Sequence, residues 1–101
     1  MAHYDRDKAS LKRREQYFKM LEKHPDRVLL MNVGDFYEAY GDSAKALHDI
    51  LGITTIGIRV SEDVFDDTLD YAMFPFYNID SYLPKLIHAG KKVGICEPIK
   101  P

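Results

Sequence analysis

The chain has 101 residues with 14 basic and 16 acidic side chains, and its formal net charge at pH 7 is −2. This length limits the chain to one small domain, and its 46% of hydrophobic residues is too high for a disordered segment. It contains no apolar run near the ~20 residues that span a membrane, and its charged N-terminus has no signal-peptide pattern. The single cysteine, Cys96, excludes an internal disulfide, so we expect a cytoplasmic protein.

The near-neutral total charge hides an asymmetry along the chain. Residues 1–27 carry eight basic and five acidic side chains, whereas residues 28–101 carry six basic and eleven acidic ones. A nucleic-acid-binding domain usually has a high isoelectric point, but the value here is about 6.0. Composition therefore does not predict tight DNA binding by this domain.

Three predicted elements fill the first forty residues. Residues 7–23 place apolar side chains at helical spacing, and Pro25 follows just after them. The apolar run 27–33 is too short for a helix and suits a buried strand. Residues 36–40 then predict a second strand that pairs back as a hairpin across the turn Gly34-Asp35.

Helical and strand patterns continue through the second half of the chain. A helix is predicted to begin with Asp42 as its N-cap and to end at Gly52. The β-branched residues 53–60 predict a strand, the acidic stretch 61–70 a loop, and the apolar run 71–76 another strand.

The last predicted elements are a helix capped by Asn78 or Asp80, with Gly90 after its end, and a short strand over residues 92–96. This order of elements predicts a single α/β domain with a mixed β-sheet flanked by helices. We expect residues 1–9 to form a polar N-terminal tail and residues 10–101 to form the domain. The predicted core includes Leu29, Leu47, Leu51, Leu83, Leu86 and Ile95.

Reactive side chains form no arrangement typical of an enzyme. The four histidines fall in no metal-binding spacing, and there is no glycine-rich phosphate-binding motif or nucleophile elbow. Cys96 fits a small core residue. The acidic residues between 62 and 70 lack the spacing of a calcium loop and predict a solvated loop. We therefore expect no catalytic activity, no metal site and no small-molecule substrate.

The most informative stretch runs from Gly34 to Glu38. Alternation along a strand places Phe36 and Glu38 on one face and Tyr37 on the other. One interpretation is a partly buried phenyl ring beside a surface carboxylate. The other is a wedge, because an aromatic ring can unstack a base step from the minor groove while the carboxylate hydrogen-bonds to a base edge. The residues alone leave both interpretations open.

The stretch Gly34-Asp35-Phe36-Tyr37-Glu38 resembles the GDFYE motif of domain I, the N-terminal mismatch-recognition domain of the MutS DNA mismatch-repair family. Further matches follow in the same order and cover about residues 10–98. They are Gln16-Tyr17, His24-Pro25-Asp26, the segment from Asp42 to Ala46, Pro75 with Asp80-Ser81-Tyr82-Leu83 and Lys85-Leu86, and Ala89-Gly90 with Lys92-Val93 and Ile95-Cys96-Glu97. Several motifs in one order make the resemblance specific.

The resemblance implies an α/β fold and a function in recognising mispaired or distorted duplex DNA. In the family the motif Phe stacks on a mispaired base from the minor groove and the motif Glu hydrogen-bonds to that base. By position these roles fall on Phe36 and Glu38. The resemblance also implies a homo-oligomer, or contact with downstream repair-protein domains, and it places ATP and Mg in those downstream domains. We expect no cofactor in this segment and no membrane partner.

Departures from the family pattern reduce the positive charge around the motif. Asn32-Val33 stands where the family usually has Arg-Met, and Met73-Phe74-Pro75-Phe76-Tyr77 replaces a segment that ends in His. The candidate phosphate contacts are Lys12, Arg13, Arg14 and Arg59, and the first three of these also fit an ordinary solvated helix face. Because phosphate neutralisation supplies much of DNA affinity, the alternative function is a stand-alone protein-interaction module with weak or no DNA binding.

Overall fold

A computed structural model describes residues 3–4, 8–59 and 68–99 of the chain. Within them, six strands form one mixed sheet and three α-helices pack on it, which confirms the predicted α/β class. In chain order the elements are β1 (His3–Tyr4), α1 (Lys8–Lys23), β2 (Arg27–Val33), β3 (Phe36–Tyr40), α2 (Asp42–Leu51), β4 (Ile56–Arg59), β5 (Thr68–Pro75), a 3₁₀ turn (Phe76–Asn78), α3 (Ile79–His88) and β6 (Lys92–Cys96).

The strands lie across the sheet in the order β1-β4-β5-β3-β2-β6. The four central strands pair antiparallel, whereas β1 joins β4 and β6 joins β2 in parallel. The predicted hairpin of β2 and β3 is confirmed, with Val33 opposite Phe36. Its two-residue loop begins at Gly34, whose φ is 60°, and no other residue type in the described chain has a positive φ. A positive φ at the first loop position alone is typical of a type II′ turn, which favours glycine there.

Each face of the sheet has its own apolar core. Helices α2 and α3 cover one face, where the buried residues are Val28, Leu30, Ala39, Ala44, Leu47, Ala72, Phe74 and Leu86. Helix α1 covers the other face, where the buried residues are Tyr17, Leu29, Met31, Tyr40 and Ile58. The second face has one helix instead of two, and it is also the face to which Phe36 and Glu38 point.

Strands β4 and β5 do not begin where the sequence predicted. Residues 53–55 are not part of β4, because the Ile53 N–H donates to the Leu47 carbonyl at 3.4 Å and keeps the chain against the end of α2. Strand β5 begins at Thr68, so the last three residues of the predicted loop 61–70 are strand. Asp70 fits there because Lys45 of α2 forms an ion pair with its carboxylate at 3.7 Å. Val60 and residues 61–67 lie outside the described residues.

The helix ends confirm some predicted caps and correct others. Gly41, with φ 61°, occupies the N-cap of α2, and Asp42 is instead the first helical residue. Asn78 occupies the N-cap of α3, without a side-chain hydrogen bond. After α3, the N–H of Gly90 donates to the Ile87 carbonyl at 2.9 Å, and that of Lys91 donates to the Leu86 carbonyl at 3.0 Å. Gly90 has φ 86°, so it is the predicted left-handed residue that ends the helix.

Two expectations about burial and boundaries need correction. Leu29, Leu47 and Leu86 are buried, and Leu51 and Leu83 are half-buried, but Ile95 is 51% exposed. Ile95 belongs to β6, the strand at one edge of the sheet, where a side chain has neighbours on one side only. Residues 1–9 were expected to be a tail, but the backbone of His3–Tyr4 pairs with β4.

Candidate nucleic-acid interface

Phe36 is displayed at the end of the sheet. It is the first residue of β3, immediately after the turn, and its cross-strand partners are Val33 and Pro75. The N–H of Phe76 donates to the Asp35 carbonyl at 2.8 Å, which ties the turn to the end of β5. The phenyl ring is 40% exposed although the backbone beneath it is paired on both sides. A rigid backbone therefore carries an apolar ring that faces solvent.

Glu38 lies on the same face as Phe36, as the alternation predicted, but it is only 7% exposed. Its Oε1 accepts a hydrogen bond from the Tyr71 hydroxyl at 2.8 Å, and its Oε2 accepts one from the Tyr40 hydroxyl at 3.3 Å. The guanidinium of Arg13 approaches Oε1 at 3.7 Å. Neither sequence interpretation described this arrangement, because both treated the carboxylate as an exposed group.

The two tyrosines are fixed as hydrogen-bond donors. Burial raises the pKa of Tyr71 well above its ordinary value, and the negative charge of Glu38 raises it further. The pKa of Tyr40 is raised by the same two causes in the same order. Both phenols therefore keep their protons at neutral pH. The carboxylate of Glu38 accepts from both, so the three side chains form a hydrogen-bonded cluster.

The four predicted phosphate contacts do not share one surface. Lys12 is exposed on α1. Arg13 is directed towards Glu38, and Arg14 is only 8% exposed, with its guanidinium carbon 6.0 Å from the centre of the Tyr40 ring. Arg14 thus lies inside the domain, not on the solvated helix face that we expected. Arg59 ends β4, and its side chain lies outside the described residues.

Three residues of the site were missed by the sequence analysis. Tyr40 completes the alternation of Phe36 and Glu38 along β3, so the period of two could have indicated it. Tyr71 and Met73 lie opposite Tyr40 and Glu38 on β5, and their positions depend on the pairing register of two distant segments. Met73 is 40% exposed and extends the apolar surface beside Phe36.

No group of three or more His, Cys, Asp or Glu side chains converges in a way that could hold a metal ion within residues 8–59 and 68–99. Four of the acidic residues of the predicted loop, Glu62, Asp63, Asp66 and Asp67, lie outside the described residues. In the part of the chain that the structure describes, none of the helices is long and apolar enough to cross a membrane.

Comparison with known proteins places this geometry in a family. The family model for MutS domain I matches residues 13–101. Three similar proteins carry the name DNA mismatch repair protein MutS. The one from Parabacteroides distasonis is 47% identical over 88 residues, which are 85% of this chain and 10% of that protein. Those from Salinibacter ruber and Porphyromonas gingivalis are 45% and 44% identical over 85 residues, or 84% of this chain and 9% of each protein.

The chain spans about a tenth of the length of the curated relatives that it matches. The similarity nevertheless covers most of the chain itself, including strand β3, which carries Phe36, and the elements that come before and after it. The fold agrees with the same conclusion, since the sheet is mixed and its helices lie on both faces. The chain belongs to the MutS domain I family.

Proposed function

We propose that this chain is a non-catalytic module that recognises mispaired or distorted duplex DNA in mismatch repair. Phe36 acts as a wedge that enters from the minor groove and stacks on the mispaired base. Glu38, two residues further along the same face, forms a hydrogen bond to that base. The observation that carries the proposal is the 40% exposed phenyl ring of Phe36 on a backbone that is paired on both sides.

The geometry of Phe36 fits a wedge for a physical reason. Apolar side chains that enter the minor groove unstack a base step, and the cost of unstacking is a few kcal/mol. A mispaired step is already less stable, so the wedge enters it more readily than a matched step. A ring on a loop would lose conformational freedom on insertion, whereas Phe36 is held by the hairpin turn and by β5. The wedge is therefore pre-organised.

Phosphate contacts contribute little to this proposed interface. Arg14 is buried, and Arg13 is directed towards Glu38, so Lys12 is the one predicted contact whose side chain is described and fully displayed. Since affinity for DNA rises with the number of phosphates that cations neutralise, we expect weak binding to matched duplex. Selectivity would then come from the stacking of Phe36 and the hydrogen bond of Glu38.

The same arrangement of cations favours a second candidate function. A domain in which Arg13 and Arg14 are turned away from solvent and an apolar residue is exposed can also dock on another protein. On that alternative, Phe36 and Met73 would belong to a protein-interaction surface, and the chain would not distinguish mismatched from matched DNA.

The two functions are separated by titrating the chain against duplexes that differ by one mispair, with fluorescence anisotropy at one fixed salt concentration. The proposal expects tighter binding to the mismatched duplex, and it expects Phe36→Ala to abolish most of that preference. Ile87→Ala is the matched control, because Ile87 is an exposed apolar residue on α3, which covers the opposite face of the sheet. Equal affinity of the wild type for both duplexes would favour the interaction module.

A further inference from the structure

The hydrogen bonds of Glu38 raise a question about how it reaches a base. Both carboxylate oxygens already accept from tyrosine hydroxyls, and the residue is 7% exposed. Because the side chain is buried among these donors, the carboxylate can turn towards a base only by giving up one of these two hydrogen bonds. The shorter of the two bonds comes from Tyr71, at 2.8 Å to Oε1, against 3.3 Å from Tyr40 to Oε2.

The hydroxyl of Tyr71 has a second acceptor within reach. The sulfur of Met73 lies 3.5 Å from it, two residues further along β5 and closer to the end of the sheet. When Glu38 turns towards a base, the hydroxyl keeps a weak acceptor in this sulfur. Tyr71 is placed there by the register that puts it opposite Tyr40, so its position depends on the sheet and not on a mobile loop.

We propose that Tyr71 is a specificity-determining residue, whose hydroxyl competes with the mispaired base for Oε1 of Glu38. The inference rests on the proposed mismatch recognition. While no suitable base donor is present, the carboxylate stays in the cluster of Tyr40, Tyr71 and Arg13. A base that Phe36 has unstacked offers its donor at close range and releases the carboxylate. A matched duplex offers no such donor, so its phosphates meet a carboxylate that remains buried.

Competition makes the effect of Tyr71 conditional on Glu38, and a double-mutant cycle measures this dependence. Tyr71→Phe removes the competing hydroxyl and keeps the ring. We expect it to tighten binding to the mismatched duplex by about threefold to tenfold, the range of one net hydrogen bond. Affinity for the matched duplex should stay within about twofold of wild type. In a Glu38→Ala background, Tyr71→Phe should change neither affinity.

Tyr82→Phe is the control for the chemical change itself. Tyr82 lies on α3 and packs against Phe74 in the core on the opposite face, so loss of its hydroxyl should leave both affinities unchanged. An equal effect of Tyr71→Phe with and without Glu38 would overturn the inference, because it would then act through packing. Weaker mismatch binding by Tyr71→Phe would also overturn it, because Tyr71 would then hold Glu38 in its binding position.

The outcomes distinguish this inference from the proposed function. If the wild type binds both duplexes equally, mismatch recognition itself fails. If the wild type prefers the mismatched duplex but the double-mutant cycle shows no coupling between Tyr71 and Glu38, only the proposed role of Tyr71 fails. If Tyr71→Phe does not fold, the test uses the wild-type protein with tyrosine labelled with ¹³C at Cζ, observed by NMR. We expect the Tyr71 resonance to shift at saturation with mismatched duplex and to stay in place with matched duplex. An unchanged resonance with both would overturn the inference.

Discussion

Phe36 and Glu38 lie two residues apart on one face of one strand, yet Phe36 is 40% exposed and Glu38 only 7%. This is the reverse of what their chemistry alone would favour, since apolar rings are usually buried and carboxylates exposed. The cluster of Tyr40, Tyr71 and Arg13 compensates the buried carboxylate. Phe36, by contrast, stays exposed although its backbone is paired on both sides.

Removing the carboxylate should affect selectivity more than affinity. Glu38→Ala removes the base contact and also a negative charge that opposes the phosphates. We expect the ratio of mismatched to matched affinity to fall towards one, with overall affinity unchanged or higher. The measurement is anisotropy titration with both duplexes at one salt concentration. An undiminished ratio would show that Glu38 does not contact the base.

The same substitution should destabilise the domain moderately. Two tyrosine hydroxyls lose their acceptor on Glu38, and an unsatisfied buried donor costs about 1–3 kcal/mol. We expect Glu38→Ala to lower the free energy of unfolding by an amount in that range, measured by urea denaturation. Glu38→Gln keeps one acceptor oxygen, and its amide N–H can donate to the other hydroxyl, so it should lose less. A larger loss for Gln than for Ala would contradict the hydrogen-bonded cluster.

Binding to matched DNA should be weak and depend little on salt. Because Arg14 is buried, Arg13 is directed towards Glu38 and the net charge is −2, we expect a Kd no better than about 10⁻⁵ M at physiological salt, in the non-specific range. Lys12→Gln should reduce the slope of log Kd against log salt by about 1 if Lys12 contacts a phosphate. Lys85→Gln, an exposed lysine on α3, is the matched control and should not change the slope. Nanomolar binding to matched duplex would contradict this prediction.

Stability should fall at high pH because of a buried phenol that joins α1 to the sheet. The Tyr17 hydroxyl donates to the Leu29 carbonyl at 2.7 Å and accepts from the Tyr40 N–H at 3.3 Å. Burial raises the pKa of Tyr17 to about 12 from an ordinary 10.0. Above pH 10 the unfolded chain loses the Tyr17 proton, whereas the folded state still holds it. The stabilisation is therefore complete below pH 10 and is lost as the pH rises to about 12.

Urea denaturation at pH 8 and pH 11 tests this pH dependence. Tyr17→Phe should show a smaller loss of unfolding free energy between the two pH values than the wild type, because it has no phenol at this position. Tyr82→Phe is the control and should retain the wild-type loss. Identical losses in Tyr17→Phe and wild type would show that Tyr17 does not ionise with the predicted shift.

The sequence predicted the elements and the shared face of Phe36 and Glu38, because both depend on local periodicity. Strands β2, β3 and β6 have the predicted bounds, and α1 begins one residue later than expected. The burial of Glu38 could not be predicted in this way. Two of its partners, Arg13 and Tyr71, come from α1 and β5, and Tyr71 lies 33 residues further along the chain. The pairing register of β3 with β5 brings Tyr71 to Glu38, and the packing of α1 on the sheet brings Arg13.

Charge patterning was the least informative signal. The basic residues of α1 suggested a solvated face, but the position of Arg14 above Tyr40 follows from how the helix is rotated against the sheet. Asp70 counted as part of an acidic loop, but its carboxylate pairs with Lys45 and its backbone belongs to β5. In both cases the tertiary partner, not the neighbouring sequence, decides the location.

The central claim is that Phe36 reads a mispaired base, and the affinity of Phe36→Ala for mismatched duplex tests it most directly. Base–aromatic stacking is worth about 1–3 kcal/mol, so we expect mismatch binding to weaken by about tenfold to a hundredfold. Thermal melts should show a domain that still folds, because the ring is already 40% exposed. If Phe36→Ala instead unfolds the domain, or folds and binds both duplexes as the wild type does, the ring is a structural or protein-docking residue and the wedge is contradicted.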